Sequence, residues 1–362
     1  MAILARIDRS TRLLGAAALV ATSVSLLLVA VGGEPVATFA ATAVALATLA
    51  ALVGEGTDQL SARLDPVATG VLQSALGNLP ELFIAIFSLQ AGLVAVVQAA
   101  LIGSILANSL LVLGIAFLVG GLRHGTQRFG TSQSRVIASL LMLAVAALLI
   151  PTLATQPGAP DAGHAPEVSV VVSLVLLVVF AGSVVFALRG GARSPRAEAA
   201  EERGVWPAAL SIGLLLVAAI AAAFVADWFV EALRPAMATL GMSEAFAGLV
   251  VVAIAGNAVE NIVGVQAAAR NEADLAVSLI LNSSLQVAIA LVPALVLLSA
   301  FVGTAMLTLV TTPLLLGAVA LSAILTAFIV FDGESTWLEG LALVGLYVII
   351  AASVWWGPPI AG

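Results

Sequence analysis

Eleven stretches of mostly apolar residues follow one another along this 362-residue chain with only short polar breaks between them. They lie near 13–32, 36–54, 65–90, 95–121, 136–154, 167–188, 206–231, 244–269, 273–302, 307–331 and 337–356. A helix needs about 20 such residues to cross the hydrocarbon of a bilayer, and each stretch reaches or approaches that length. Water cannot solvate a chain that is 62% hydrophobic and 9% charged, where a soluble domain carries roughly 25% charged residues. The expected fold class is therefore an all-α integral membrane protein of eleven transmembrane helices in a lipid bilayer. The absence of Cys removes disulfides, thiolate nucleophiles and zinc–thiolate sites. All 13 bases are Arg, outnumbered by 20 acids and scattered over short loops, so there is no basic patch for nucleic acid.

The first stretch follows Arg6, Arg9 and Arg12 as a signal peptide would, but its apolar run exceeds the roughly 7–15 residues of a signal core, so it reads as a retained helix. With the N-terminus in the cytoplasm, twelve of the thirteen arginines fall on the cytoplasmic side and only Arg234 outside, which is the bias of short membrane loops. One helix miscounted midway would scramble that pattern, so the C-terminus is expected outside. The chain divides into an N-terminal segment and extra helix over 1–35, a five-helix set over 36–188, a cytoplasmic linker over 189–205 and a second five-helix set over 206–362. The linker, with Glu198, Glu201 and Glu202, reads as a plain connection. Short loops point to a prokaryotic inner membrane, with an organelle membrane as the alternative.

Two of the stretches carry the same short string. Gly77-Asn78-Leu79-Pro80-Glu81 in the third returns as Gly256-Asn257-Ala258-Val259-Glu260 in the eighth, 179 residues later. The same offset sets Ser104 on Ser283 and Leu106 on Leu285. The third and eighth stretches are an odd number of crossings apart, so the two copies enter the membrane from opposite sides. An inverted repeat of this kind characterises secondary transporters, whose sites lie near the midplane.

Glu81 and Glu260 stand well inside apolar stretches, where an ionised carboxylate is costly unless it meets a partner, an ion or a wet cavity. Helix–helix hydrogen bonding explains one such residue as well as function does, but it explains two at matched positions poorly. Pro80 cannot donate to the carbonyl of Leu76, and Gly77 and Gly256 lower helix propensity, so a broken helix is expected at both strings. Asn78 and Asn257 add amide oxygens, while Ser104, Asn108, Ser283, Ser284 and Gln286 on the following helices either add oxygens or orient the carboxylates. An all-oxygen set suits a hard cation, above all Ca²⁺, with Mn²⁺ harder to set aside. Two carboxylates in a low-dielectric site repel each other, so the pair can hold one divalent cation or up to two protons. That competition is the chemical basis of an exchanger. No cofactor is expected beyond the transported ion.

These strings resemble the signature regions of the cation/proton exchangers of the calcium/cation antiporter superfamily. The first region reads GNLPELFIAIFSLQAG followed by VVQAALIGSILANSLLVLG, and the second reads GLVVVAIAGNAVENIVG followed by NSSLQVAI. Glu55, Thr57, Asp58 and Gln59 look like that family's acidic lead-in. The resemblance implies a lone first helix and two inverted five-helix halves that move Ca²⁺ against H⁺ by alternating access. It also implies that Glu81 and Glu260 are central ligands that take the protons, with Asn78, Asn257, Ser104, Ser283 and Gln286 beside them, and that the first two helices of the core's halves slide against the rest. The chain departs from many members in having Ala253 for Pro and Asn261 for His, the second change removing a titratable neighbour of Glu260.

A Na⁺-driven Ca²⁺ exchanger of the same superfamily is the nearest alternative. It would carry Thr or Ser and an additional acid around the glutamates, whereas this chain has Asn and no acid in 95–121 or 275–302. A passive cation channel usually draws its charged rings from several subunits. A membrane-embedded hydrolase lacks a nucleophile–base pair here, because His124 and His164 both fall in loops. An enzyme is therefore not expected, and oligomeric state is not legible.

Overall fold

The computed structural model describes residues 9–64, 72, 76–159, 161–189 and 205–356, without the side chains of 131–133, 187–189, 259 and 260. Among the described residues twelve helices follow in order: α1 (Arg9–Ala30), α2 (Pro35–Ser61), α3 (Leu79–Gln90), α4 (Val94–His124), α5 (Thr131–Ala154), α6 (Ala165–Arg189), α7 (Ala208–Leu240), α8 (Glu244–Gly256), α9 (Ala258–Ala269), α10 (Ala273–Val302), α11 (Pro313–Ile329) and α12 (Trp337–Trp355). Eight are long and apolar enough to cross a bilayer, nine if α8 and α9 form one interrupted span, and α3 and α11 are shorter apolar helices. A two-residue strand, β1 (Gln127–Arg128), pairs antiparallel with β2 (Glu334–Ser335).

Local chemistry sets the helix ends. The Glu34 carboxylate accepts from the N–H groups of Val36 and Ala37 at the start of α2, and Thr336 with Glu339 forms a capping box on α12. Two expected boundaries are corrected. The stretch expected from 307 becomes helical only at Pro313, because Thr312 caps Leu315 and proline suits the first turn. The stretch expected to end at 231 stays helical through Asp227, Glu231, Arg234 and Pro235 to Leu240, ending at Gly241 with φ 64°. Residues 65–71 and 73–75 of the third stretch and most of the 189–205 linker lie outside the described residues.

The chain forms two compact units. The first, within Met1–Phe87, Ala181–Gly241 and Ala255–Val259, contains α1, α2 and α7. Its α2 and α7 pack along their length, with Gly56 admitting Leu215 and the Phe39 and Phe229 rings stacked at 4.9 Å. At one end Gln59 accepts the Trp206 N–H at 3.0 Å and Arg63 donates to the Trp206 carbonyl, so α2 holds the entry to α7.

The second unit, within Ser88–Phe180, Met242–Ile254 and Glu260–Gly362, is built around α4. Glycines bring its helices together as small residues do in membranes. A Cβ on Gly103 would strike the backbone of Leu249, and one on Gly248 would meet Ala99 Cβ at 2.8 Å. Gly114 lies against Gly340, and Gly121 against Trp337. Between α10 and α11, residues 303–312 run without helix. Their N–H groups at Leu307, Leu309 and Thr311 donate to Ser299, Ser169 and Thr152, and the Gln98 amide donates to the carbonyls of Thr308 and Val310. Side chains thus satisfy the backbone that a neighbouring strand would otherwise pair.

Candidate cation site

Both signature strings interrupt helix at their asparagine. Asn78 is a turn between the helical residues 76–77 and α3, and Asn257 is a turn between α8 and α9. Asparagine favours a helix entry, and the Asn78 carbonyl accepts the first bond of α3 from Leu82 at 2.9 Å. Pro80 is the second residue of α3, where a missing N–H costs nothing, so it opens this helix instead of breaking one. Glu81 and Glu260 are each the third residue of their helix, where the positive end of the helix dipole favours a carboxylate.

In the first unit the two strings meet. Asn257 Nδ2 donates to Glu81 Oε1 at 2.5 Å. Glu81 and Asn78 are each 7% exposed and Asn257 1%, so carboxylate and amides lie away from bulk solvent. The buried Asn78 Nδ2 has no hydrogen-bond partner among the described residues. Gly256 lies under Glu81: a Cβ there would run into Glu81 Cγ and come within 3.3 Å of the carboxyl carbon. Gly77, its match in sequence, has nothing within 4 Å of an added Cβ among the described residues, which do not include the Glu260 side chain.

In the second unit Ser104, Asn108, Ser283 and Ser284 are buried. Asn108 Nδ2 donates to Ser283 Oγ at 3.0 Å, tying α4 to α10. Ser284 Oγ turns back to the Ile280 carbonyl of its own helix at 3.4 Å. Gln286 is half-buried at the last residue before a widened turn. Among the described residues three such π turns occur, at Ala107–Val112 in α4, Ala247–Val252 in α8 and Val287–Leu291 in α10. Asn108 stands on the first. Single π turns of this kind often mark functional sites. Pro293, which lacks the N–H that would bond the Ile289 carbonyl, was a sequence signal for the turn in α10. The backbone of Glu260 lies in α9, but its side chain falls outside those described, as does that of Val259.

The geometry can be set beside known proteins. The sodium/calcium exchanger protein family matches this chain twice, over residues 34–189 and 210–356. The chain is 33% identical over 348 residues to a Ca(2+)/H(+) antiporter of Aphanothece halophytica, covering 90% of this chain and 92% of that protein. It is 33% identical over 318 residues to the Ca(2+)/H(+) antiporter ChaA of Bacillus subtilis, covering 86% of this chain and 90% of that one. The solved structure of native YfkE superposes with a TM-score of 0.81 at 29% identity, over 94% of this chain and 99% of that chain.

Proposed function

Since the chain belongs to the sodium/calcium exchanger protein family, we propose that it is a secondary antiporter that exchanges Ca²⁺ for H⁺ across a membrane by alternating access. The observation that carries this reading is the buried hydrogen bond from Asn257 to Glu81, which joins the glutamate of one signature string to the asparagine of the other. A carboxylate held this way, at a helix start and out of bulk water, is suited to a cation or a proton. The names of the similar antiporters support Ca²⁺ as the cation and H⁺ as its counter-ion.

In this reading Glu81 and Glu260 together hold one Ca²⁺ or take up two protons, so that the charge of the site stays balanced in either direction. Asn78, Asn257, Ser104 and Ser283 supply neutral oxygens to the cation, and an amide that donates to a bare carboxylate can turn its oxygen to the ion once it arrives. Asn108 holds Ser283 in place. The transported ion is the only non-protein group the chemistry requires.

The proposed topology has eleven spans: one extra helix and two inverted five-helix repeats, over 36–188 and 206–362. In it α8 and α9 make one interrupted span, and α3 completes another with the residues before it. The family's double match over 34–189 and 210–356 favours a duplication. Helices α3 and α9 begin and end 179 residues apart, as the strings themselves do. Hydrogen bonds between loops also agree with the count. Arg63 with Trp206, Gln127 with Asn271, and Arg135 with Phe331 each join two proposed cytoplasmic ends. Thr304 with Leu89, and Ser243 with Val354, each join two proposed outer ends. These pairs bear on the spans between Arg63 and Val354, and the arginine bias supports the orientation. The N-terminus is then cytoplasmic and the C-terminus outside, in a prokaryotic inner membrane.

The test is Ca²⁺ uptake into proteoliposomes under an imposed pH gradient, with a Na⁺ gradient as the alternative drive, for the wild type, Glu81→Gln and Glu260→Gln. Uptake driven by protons alone and abolished in both variants is the expected result. Uptake driven by Na⁺ alone would replace the proton reading, and full activity in either variant would remove that glutamate from the mechanism.

A further inference from the structure

The glutamate-bearing helices α3 and α9 end alike. In α9 the Glu272 N–H bonds the Ala267 carbonyl at 2.9 Å and the Asn271 N–H bonds Ala268 at 3.0 Å, with Asn271 left-handed at φ 65°. In α3 the Leu93 N–H bonds Ser88 at 2.8 Å and the Gly92 N–H bonds Leu89 at 3.1 Å, with Gly92 at φ 74°. Each residue of one set stands 179 positions from its counterpart. The carbonyls of Leu89 and Ala268 are therefore equivalent, and each is also reached by a side chain from the loop after a serine-bearing helix. Thr304, beyond α10, donates to the Leu89 carbonyl at 3.3 Å. Gln127, beyond α4, donates to the Ala268 carbonyl at 3.0 Å.

The second connection is the more elaborate. Gln127 is 2% exposed, and its Nε2 also donates to Asn271 Oδ1 at 2.9 Å. Gly120 leaves room for its carboxamide, which a Cβ there would strike. His124, at the end of α4, lies with a ring nitrogen 3.0 Å from the Ala269 carbonyl. Asn271 is the sole non-glycine residue with positive φ among those described. Glycine serves at the matching Gly92, so the backbone alone does not call for asparagine at 271. What asparagine adds over glycine here is the acceptor that receives the Gln127 amide.

We propose that Gln127 and Asn271 form a latch that fixes the axial position of α9 and so positions Glu260 for cation binding from the proposed cytoplasmic side. The proposal rests on the reading of Glu260 as an ion carrier. Both are positioning residues. They grip the far end of the helix whose first turn holds the glutamate, and a helix is stiff enough along its axis to carry that constraint over its twelve residues.

Asn271→Gly isolates the latch, because glycine keeps the left-handed backbone and loses only the side chain. Asn271→Asp is the conservative partner, since it retains an acceptor for Gln127 and tolerates the same conformation. Ca²⁺ uptake in oriented proteoliposomes gives apparent affinity and maximal rate from each face, alongside thermal melting. The expected result is a three- to tenfold weaker apparent Ca²⁺ affinity for Asn271→Gly at the cytoplasmic face only, about what one lost hydrogen bond supplies. A melting temperature lowered by no more than the loss of one hydrogen bond would cause, and a return to wild-type affinity in Asn271→Asp, complete that expectation. Wild-type affinity of Asn271→Gly at both faces overturns the latch, and so does an equal loss at both faces accompanied by lower melting. Glu260→Gln separates the two ideas: if it is inactive while Asn271→Gly behaves as wild type, the latch alone fails, and if it transports normally, the carrier reading fails and the latch falls with it.

Discussion

Asn257 donates its side-chain N–H to the carboxylate of Glu81 across 176 residues of sequence, with both side chains buried. The two signature strings are therefore not merely parallel copies, because the asparagine of the second serves the glutamate of the first. In the proposed reading that amide turns its oxygen to the ion when it binds, and losing a charge-assisted contact of about 1.5–3 kcal/mol from the bound state corresponds to roughly ten- to hundredfold in an equilibrium. Asn257→Ala should raise the Ca²⁺ concentration for half-maximal uptake by about tenfold or more. An unchanged value in the same assay would mean that the amide plays no part in holding the ion.

Gly256 gives a direct test of the surroundings of Glu81. Alanine at 256 would push its methyl group into Glu81 Cγ. Overpacking of this kind costs about 1–3 kcal/mol or forces the carboxylate to move. Gly256→Ala should lose most of its transport. Wild-type transport in this variant would contradict the geometry around Glu81.

Much of this was legible because lipid imposes a simple rule on sequence. Apolar length alone located most helices, and the repeated Gly-Asn-x-x-Glu marked both breaks, since asparagine in an apolar run has few uses other than a turn or a polar site. What stayed hidden depends on partners distant in sequence. Residues 307–312 are apolar enough to pass for helix, yet they run extended because hydroxyls of Ser299, Ser169 and Thr152 take their N–H groups. The Asn108–Ser283 bond and the π turns at Ala107–Val112 and Ala247–Val252 left no periodic trace. Pro293 alone hinted at the turn in α10.

Gly103 separates packing from chemistry. It lies where α4 meets Leu249 of α8, and a Cβ there would strike backbone atoms, which cannot swing aside. Gly103→Ala should lower the melting temperature in detergent by an amount equivalent to about 1–3 kcal/mol. Gly213→Ala, on α7 with nothing among the described residues within 4 Å of the added methyl, should melt at or slightly above wild type, because alanine is the better helix former. Reversal of that order would refute the close helix contact.

A small acid-sensitive contribution is expected at the end of α9. The Arg270 guanidinium, bonded to Glu272 at 2.9 and 3.0 Å, holds that carboxyl below its usual range. A carboxylate depressed by folding stabilises the protein above its unfolded value, and that stabilisation is lost as pH falls through the folded value. The pair is well exposed, so its worth is about 0.2–1 kcal/mol. Glu272→Gln should melt slightly below wild type at about pH 7, and the gap should close as the pH falls below the usual carboxylate range and through the lowered folded value. A gap that stays constant as the pH is lowered would assign the difference to something other than this ion pair.

Gln98 joins α4 to the extended segment after α10. Its Nε2 donates to the Thr308 carbonyl at 2.9 Å and to the Val310 carbonyl at 3.0 Å, while hydroxyls hold the alternate N–H groups of the same segment. Gln98→Leu keeps the bulk of the side chain but leaves both carbonyls without that donor, at a cost of about 1–3 kcal/mol for each that stays buried. Because α4 also carries Asn108, which donates to Ser283, a loosened segment should disturb that contact too. The expected outcome is a lower melting temperature together with a weaker apparent Ca²⁺ affinity. Ser299→Ala removes only the acceptor for the Leu307 N–H, so it should produce the same pair of changes at smaller size. Wild-type melting in Gln98→Leu would show that the segment holds its extended course without the amide.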